Sequence, residues 1–386
     1  MEIRSRFRFK DKRWMRILIF NWRDIKNPTS GGAEILTHEM AKRLVKLGHG
    51  VTQFSSSFEN CLPEESIDGV RIIRRGYPDA RYFLKSVHFL AFWHYQTEFK
   101  GKFDLVIDEI HGFPFFTPWY VKEKKIVLIC EVADQLWNKM FGQFFGIMGR
   151  VIELFYLHLV YKNILYFTIS HSTKNDLINH GVNKKNIKVL PMGITIPDKI
   201  KLFNKEKIPT LLFVGRLSKS KGIEDALFAM EKLHKLNSNS KLWIVGRGNK
   251  EYVDYLKELS RKLKISDNTI FFDFVDERKK FELMSKAHIL ISLSIKEGFG
   301  LTIPEAGFVG TPSIVYNSPG LSEVVLNNKT GLICRTNSLE ELTKNINKLI
   351  RDKALYRKLA KNAFLESKKY NWEKTIIYFA KAINAL

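Results

Sequence analysis

The 386-residue chain has only three cysteines, Cys61, Cys130 and Cys334, widely spaced and without a C-x-x-C pair. That excludes a disulfide-stapled scaffold and a zinc site of the usual spacing, and it fits a reducing compartment. No D-x-D occurs, so a divalent cation clamped on a diphosphate by paired carboxylates has no obvious ligands; neither a metal nor a cofactor is expected. G-x-G-x-x-G is absent too, which removes the dinucleotide fingerprint. Long apolar runs are scarce. Ile17–Trp22 is interrupted by Asn21 and stops at Arg23-Asp24, too short for a signal-peptide core. Phe144–Tyr161 contains Arg150, Glu153 and His158 and is expected to fall short of a transmembrane span. A cytoplasmic protein is the expectation.

Acidic residues are also in deficit. Against 63 Lys and Arg stand 40 Asp and Glu, a formal charge of +23. The surplus is spread along the chain, +10 over residues 1–200 and +13 over 201–386. It forms no single basic stripe, and no RNA- or DNA-binding signature accompanies it, so nucleic acid is not the expected partner. Such a field attracts nucleotides and anionic lipid surfaces.

What is present is enough apolar material, 45%, for two cores. Short β-branched and aromatic runs alternate with helical patterns in both halves. Strands are expected at Arg16–Trp22, Val51–Ser56, Val70–Arg75, Leu105–Ile110, Lys125–Cys130 and Leu165–Ser170. In the second half they fall at Leu211–Arg216, Leu242–Val245, Thr269–Phe274, Ile289–Leu293, Ser313–Tyr316 and Gly331–Cys334. Helices are expected between them, at Ala33–Leu47, Ser172–Asn179, Ile223–Leu236 and Glu251–Leu263, with a helical end over Leu339–Leu386. The alternation predicts an α/β chain with two doubly wound parallel sheets. Pro191, Gly193, Pro197 and Pro209 mark the join. The expected domains are residues 1–198 and 199–370, with a helix from 371 to 386.

In open parallel sheets ligands bind beyond the carboxyl ends of the strands, and four segments lie there. Asn27–Glu34 holds Gly31-Gly32 at a helix start, where backbone can approach an anion closely. Val214–Gly222 carries Arg216 and Lys221, two cations able to neutralise a diphosphate. In Glu297-Gly298-Phe299-Gly300-Leu301-Thr302-Ile303-Pro304-Glu305 the glycines oppose a helix through the middle, while Pro304 suits a helix's first turn. Backbone N–H groups of Gly300, Leu301 and Thr302 are expected to face a phosphate, and the two carboxylates to accept sugar and ribose hydroxyls. Asp108-Glu109-Ile110-His111 ends a strand with acidic and imidazole groups. Each segment has a plain alternative: a packing turn, a solvated basic loop, or a histidine bonded to backbone.

Taken in this order, Gly31-Gly32-Ala33-Glu34, Gly215-Arg216 through Lys221-Gly222, EGFGLTIPEA from Glu297 to Ala306 and the late Tyr370-Asn371-Trp372 resemble the family 4 retaining glycosyltransferases of the GT-B fold, over nearly the whole chain. The resemblance implies two Rossmann-like domains facing across a cleft, with the last helix crossing back to domain one. It implies transfer from a UDP- or GDP-sugar to a glycan or lipid-linked hydroxyl, with retained configuration and without metal. Gly31 and Gly32 would lie near the donor diphosphate and the acceptor; Arg216 and Lys221 would hold that diphosphate. Glu297 would contact the donor sugar, Glu305 the ribose, and the backbone of Gly298, Phe299, Gly300, Leu301 and Thr302 would complete the cradle. Many relatives carry a histidine in domain one near the donor sugar. Here Asp108 and His111 compete for that place, His111 favoured, and Lys125–Cys130 ends in Cys130-Glu131. A sugar-nucleotide epimerase or hydrolase would use the same phosphate grip.

Two stretches, Arg81–Lys102 and Met140–Lys162, mix aromatic and aliphatic side chains with Lys and Arg, as interfacial helices do. With Arg4, Arg6, Arg8, Lys10, Lys12 and Arg13 they give the expectation of a peripheral protein on an anionic inner membrane face. Packing of both stretches against the first sheet is the alternative.

Overall fold

The computed structural model describes residues 14–78, 80–198, 200–236 and 239–386. The basic residues Arg4–Arg13 lie outside this range, as do the side chains of Arg81, Tyr82, Met140 and Phe141. The chain divides into two compact units, residues 1–192 with 372–386, and 193–371.

The first unit is built on eight strands: β1 (Arg16–Phe20), β2 (Gly50–Ser55), β3 (Glu64–Ile67), β4 (Val70–Arg74), β5 (Leu105–Ile110), β6 (Lys124–Ile129), β7 (Leu165–Thr168) and β8 (Ile187–Val189). Their order is β3-β4-β2-β1-β5-β6-β7-β8, parallel except for the β3–β4 hairpin. β1 pairs with both β2 and β5, Ile17 opposite Val51 and Leu105. Ile17–Phe20 and all of β5 are buried, as parallel strands covered on both faces must be. β3 escaped the sequence reading because Glu64-Glu65-Ser66 is a polar, partly exposed edge; β8 is only three residues long.

Helix α1 (Gly32–Lys46) connects β1 to β2, α2 (Val87–His94) precedes β5, α3 (Gln135–Phe155) follows β6, and α4 (His171–Asn179) follows β7. Ser170 caps α4: its side chain accepts from Thr173 N at 3.2 Å. α3 kinks at Gly142, where φ is +77°. By length and composition Gly142–Val160, which runs from this kink through the helical turns Tyr156–Val160 that follow α3, would suffice to cross a membrane. That corrects the expectation drawn from Arg150, Glu153 and His158. Arg150 and Glu153 are the only Asp, Glu, Lys or Arg in that stretch, and Glu153 is wholly buried.

The second unit has six parallel strands, β9 (Thr210–Val214), β10 (Lys241–Val245), β11 (Thr269–Phe272), β12 (Ile289–Ser292), β13 (Ser313–Tyr316) and β14 (Gly331–Cys334). Their order is β11-β10-β9-β12-β13-β14, the Rossmann arrangement. Helices α5 (Ile223–Leu236), α6 (Lys250–Lys262), α7 (Glu277–Lys286), α8 (Thr302–Phe308), α9 (Leu339–Arg351) and α10 (Lys353–Ser367) cover it. α5 turns Ile223, Leu227, Met230 and Leu233 into the core. Ile196 and Ile200 pack on this unit's core, which places the boundary at Met192–Gly193 instead of 198–199.

Helix α11 (Trp372–Asn384) belongs to the first unit. Glu373 pairs with Arg43 of α1 at 3.1 Å, Thr375 donates to Pro191 O, and Phe379 meets Phe167 at 4.8 Å between centroids.

Candidate functional site

Strand order fixes where chemistry can collect. In the second unit the order reverses between β9 and β12, in the first between β1 and β5; such switch points open a crevice at the strands' carboxyl ends.

After β9, Gly215 N bonds Val245 O at 3.0 Å and Leu217 N bonds Arg247 O at 2.7 Å. Lys219–Lys221 then makes one tight turn, ended by Gly222 at φ +66°. A Cβ at Gly222 would lie 2.4 Å from Leu293 O, so glycine lets the turn sit against the end of β12, where Ile295 N bonds Ser220 O at 3.0 Å. This brings Lys221 Nζ to 2.5 Å from Glu297 Oε1, and Ser294 Oγ donates to the same oxygen at 2.8 Å. Glu297 N bonds Pro319 O at 3.1 Å. Arg216 is exposed and makes no hydrogen bond or ion pair with other described residues.

The loop beyond Glu297 carries Gly298 and packs Phe299 edge-on against Tyr370 at 5.7 Å. Gly300 sits at φ +83° and accepts from Ile303 N at 3.0 Å; Leu301 and Thr302 begin α8. Glu305 is buried on α8. Its Oε2 lies 3.0 Å from Lys280 Nζ, which also pairs with Glu277 at 2.8 Å. Burial pushes the Glu305 carboxyl up, and Lys280 pulls it back part of the way.

In the first unit Gly31 caps α1, but its N–H is taken by Glu34 Oε2 at 2.6 Å. That carboxylate takes one N–H of the helix N-terminus at which Gly31 and Gly32 were expected to meet an anion. Opposite it, His111 Nε2 lies 2.9 Å from Glu109 Oε1. Glu109 Oε2 accepts from Asn21 Nδ2 at 2.6 Å and from Thr37 Oγ1. The imidazole stacks on Trp22 at 5.5 Å and 15°, and Arg23 covers the same indole at 4.1 Å. Burial opposes the charged imidazole, but the bond to Glu109 and the charges of Glu109 and Glu34 outweigh it and hold His111 above its ordinary value.

Asp108 points to the other face of β5. Buried, it accepts from Tyr161 OH, from Thr117 Oγ1 at 2.8 Å and from the backbone N–H groups of Phe115 and Thr117. It is a core carboxylate, and His111 is the one turned toward Glu109. Cys130 stands just past β6; burial first, then Glu109 and Glu34, push its thiol well up, so it is no nucleophile at neutral pH. Among the described residues no group of three or more His, Cys, Asp or Glu could hold a metal ion.

The sequence reading did not single out Glu109, Asn21, Thr37, Ser294 or Lys280. Glu109 alone carried a signal: side chains alternate along a strand, so Asp108 and Glu109 cannot both face His111.

Residues 30–196 match the family model described as Glycosyltransferase Family 4, and residues 196–366 that of Glycosyl transferases group 1. The chain belongs to glycosyltransferase family 4. It is therefore an enzyme of the GT-B type that uses nucleotide sugars. A family relative is an uncharacterized glycosyltransferase of Methanocaldococcus jannaschii, 25% identical over 93% of this chain and 95% of that one. Another is the alpha-monoglucosyldiacylglycerol synthase of Streptococcus pneumoniae, 25% identical over 83% of this chain and 75% of that one. Among solved structures the Anabaena protein HepE, determined with UDP and glucose, has the same fold: its TM-score is 0.75 at 18% identity, over 96% of this chain and all of that one.

Proposed function

We propose that the chain transfers a sugar from a UDP- or GDP-sugar to a hydroxyl of a glycan or lipid-linked acceptor, with retention at the anomeric carbon and without a metal. The observation that carries this reading is the cluster of Lys221, Glu297 and Ser294 at the β9/β12 switch point, beside the exposed Arg216. A donor diphosphate gives Lys221 a second anionic partner and Arg216 its first. Glu297, fixed by Lys221 and Ser294, is placed to accept sugar hydroxyls and to favour positive charge at the anomeric carbon. Glu305 takes the ribose hydroxyls while Lys280 keeps its charge compensated. As the sugar leaves, charge grows on the phosphate, and the two cations stabilise it. The departing phosphate oxygen takes the acceptor proton. In the first unit His111, held by Glu109, binds sugar or polarises the acceptor hydroxyl. HepE, solved with UDP and with glucose, and a relative named for glucosyldiacylglycerol synthesis support this donor class and a lipid-linked acceptor. The reading places the enzyme in the cytoplasm, at the inner face of the membrane. Proton NMR of the product tests it: an anomeric coupling matching the donor's is expected, and the opposite anomer overturns retention.

A further inference from the structure

The first unit carries an apolar surface that its own core does not use. Along Gly142–Phe155 the side chains of Phe144, Phe145, Ile147, Met148, Val151 and Leu154 are all exposed, Phe144 to 77%. The opposite side of the same segment is anchored. Glu153, Tyr156 and Leu157 are fully buried. Glu153 accepts from Ala133 N at 2.8 Å, Asp134 N at 2.7 Å and Trp137 Nε1 at 3.1 Å. A helix crossing a bilayer would have to break these bonds; a helix lying in the interface keeps them.

The patch continues beyond α3. Tyr156 meets Phe116 at 6.3 Å, and Phe116 stacks on Trp119 at 4.8 Å, Trp119 being exposed. The adjacent Tyr120 meets Phe92 of α2 at 5.2 Å. Cations border this surface in sequence: Lys85 after the exposed Phe83-Leu84, Lys122 and Lys124 after Trp119-Tyr120, Lys162 after the apolar segment. All four are exposed, and none is in an ion pair among the described residues. The neighbouring acids are engaged elsewhere. Glu123 accepts from Tyr95 OH at 2.5 Å and Gly101 N at 2.6 Å, Glu98 pairs with His94 at 2.8 Å, and Asp134 pairs with Arg150 at 3.0 Å.

We infer that this surface docks flat on an anionic lipid bilayer, the Gly142–Phe155 face sinking to the headgroup–acyl boundary and the four lysines contacting lipid phosphates. Apolar side chains rimmed by unpaired cations fit a surface that is greasy inside and anionic outside. The docked helix also reaches the candidate site: Tyr156 OH donates to Gly112 O at 2.8 Å, next to His111.

The test is co-sedimentation of the full chain with phosphatidylcholine vesicles, with and without phosphatidylglycerol. Binding to the anionic vesicles that weakens with salt is expected. Phe144→Ser with Phe145→Ser should weaken it by about tenfold or more while the thermal melt is unchanged, because both rings are exposed. Lys122→Glu with Lys124→Glu should abolish the preference for anionic vesicles. Absence of vesicle binding overturns the inference. So does a concentration-dependent dimer in sedimentation that the phenylalanine variant abolishes, because that assigns the face to a second copy of this chain. The readout is binding, so it stands or falls separately from the transfer chemistry.

Discussion

Lys221 and Glu297, 76 positions apart in sequence, meet at 2.5 Å between Nζ and Oε1. The contact joins the loops after β9 and β12, the two strands at which the second sheet reverses its order. In the transfer proposed above, it would set one cation and one carboxylate where leaving-group charge and anomeric charge of opposite sign develop.

Lys221→Ala should therefore lower kcat more than it raises the donor KM, because the phosphate's charge grows during transfer. Loss of one stabilising donor of this kind typically costs about 10²–10³ in kcat. Steady-state kinetics checks this; a change in KM alone would reduce Lys221 to a ground-state contact.

Glu305→Gln should weaken donor binding by roughly 1.5–3 kcal/mol, the worth of hydrogen bonds to a charged group, with the fold intact. Gln is preferable to Ala because it retains an oxygen near Lys280, and Glu277 still pairs with that lysine. Calorimetry decides; unchanged donor affinity would remove Glu305 from the nucleotide site.

The pair of Glu109 and His111 makes a pH prediction. Because the folded protein holds His111 above its ordinary value, the stability it contributes is fully present below that ordinary value. It is lost as pH rises through the raised folded value. Glu109→Gln should lower the His111 midpoint in an NMR titration and flatten this part of the stability profile in urea melts. An unchanged midpoint would mean that Glu109 does not set the imidazole's charge.

Gly320 lies at φ +81°, and a Cβ there would fall 2.1 Å from Glu297 O. Gly320→Ala should cost about 1–3 kcal/mol through backbone strain and displace the Glu297 loop, so stability and donor affinity should fall together. A wild-type urea midpoint would contradict this.

Much of this was legible beforehand. Ser313–Tyr316, Gly331–Cys334 and Ile223–Leu236 have the expected bounds, because buried β-branched runs and a clean helical stripe leave one pattern to fit. The positions of Arg216, Lys221 and Glu297 followed from strand ends. Their geometry did not, since the Lys221–Glu297 contact depends on the left-handed Gly222 and Gly320 and on which strands lie side by side. The bonds of Glu34 to Gly31 and of Lys280 to Glu305 were invisible for a similar reason. They are made by side chains turning back on a helix or across from another one, and residue spacing records neither. The exposure of Phe144 and its neighbours was equally closed to the sequence, where apolar side chains on a core helix and on an interfacial helix look alike.

The most direct test of the account is a thermal shift of the wild-type chain with UDP-, GDP-, ADP- and CMP-sugars in EDTA. At one hundred times its Kd, a bound donor should stabilise the fold by about 2.7 kcal/mol, and the account predicts a UDP- or GDP-sugar that does so and loses the effect in Lys221→Ala. No shift with any donor, or a shift only after Mn²⁺ replaces EDTA, would contradict the Arg216–Lys221 grip.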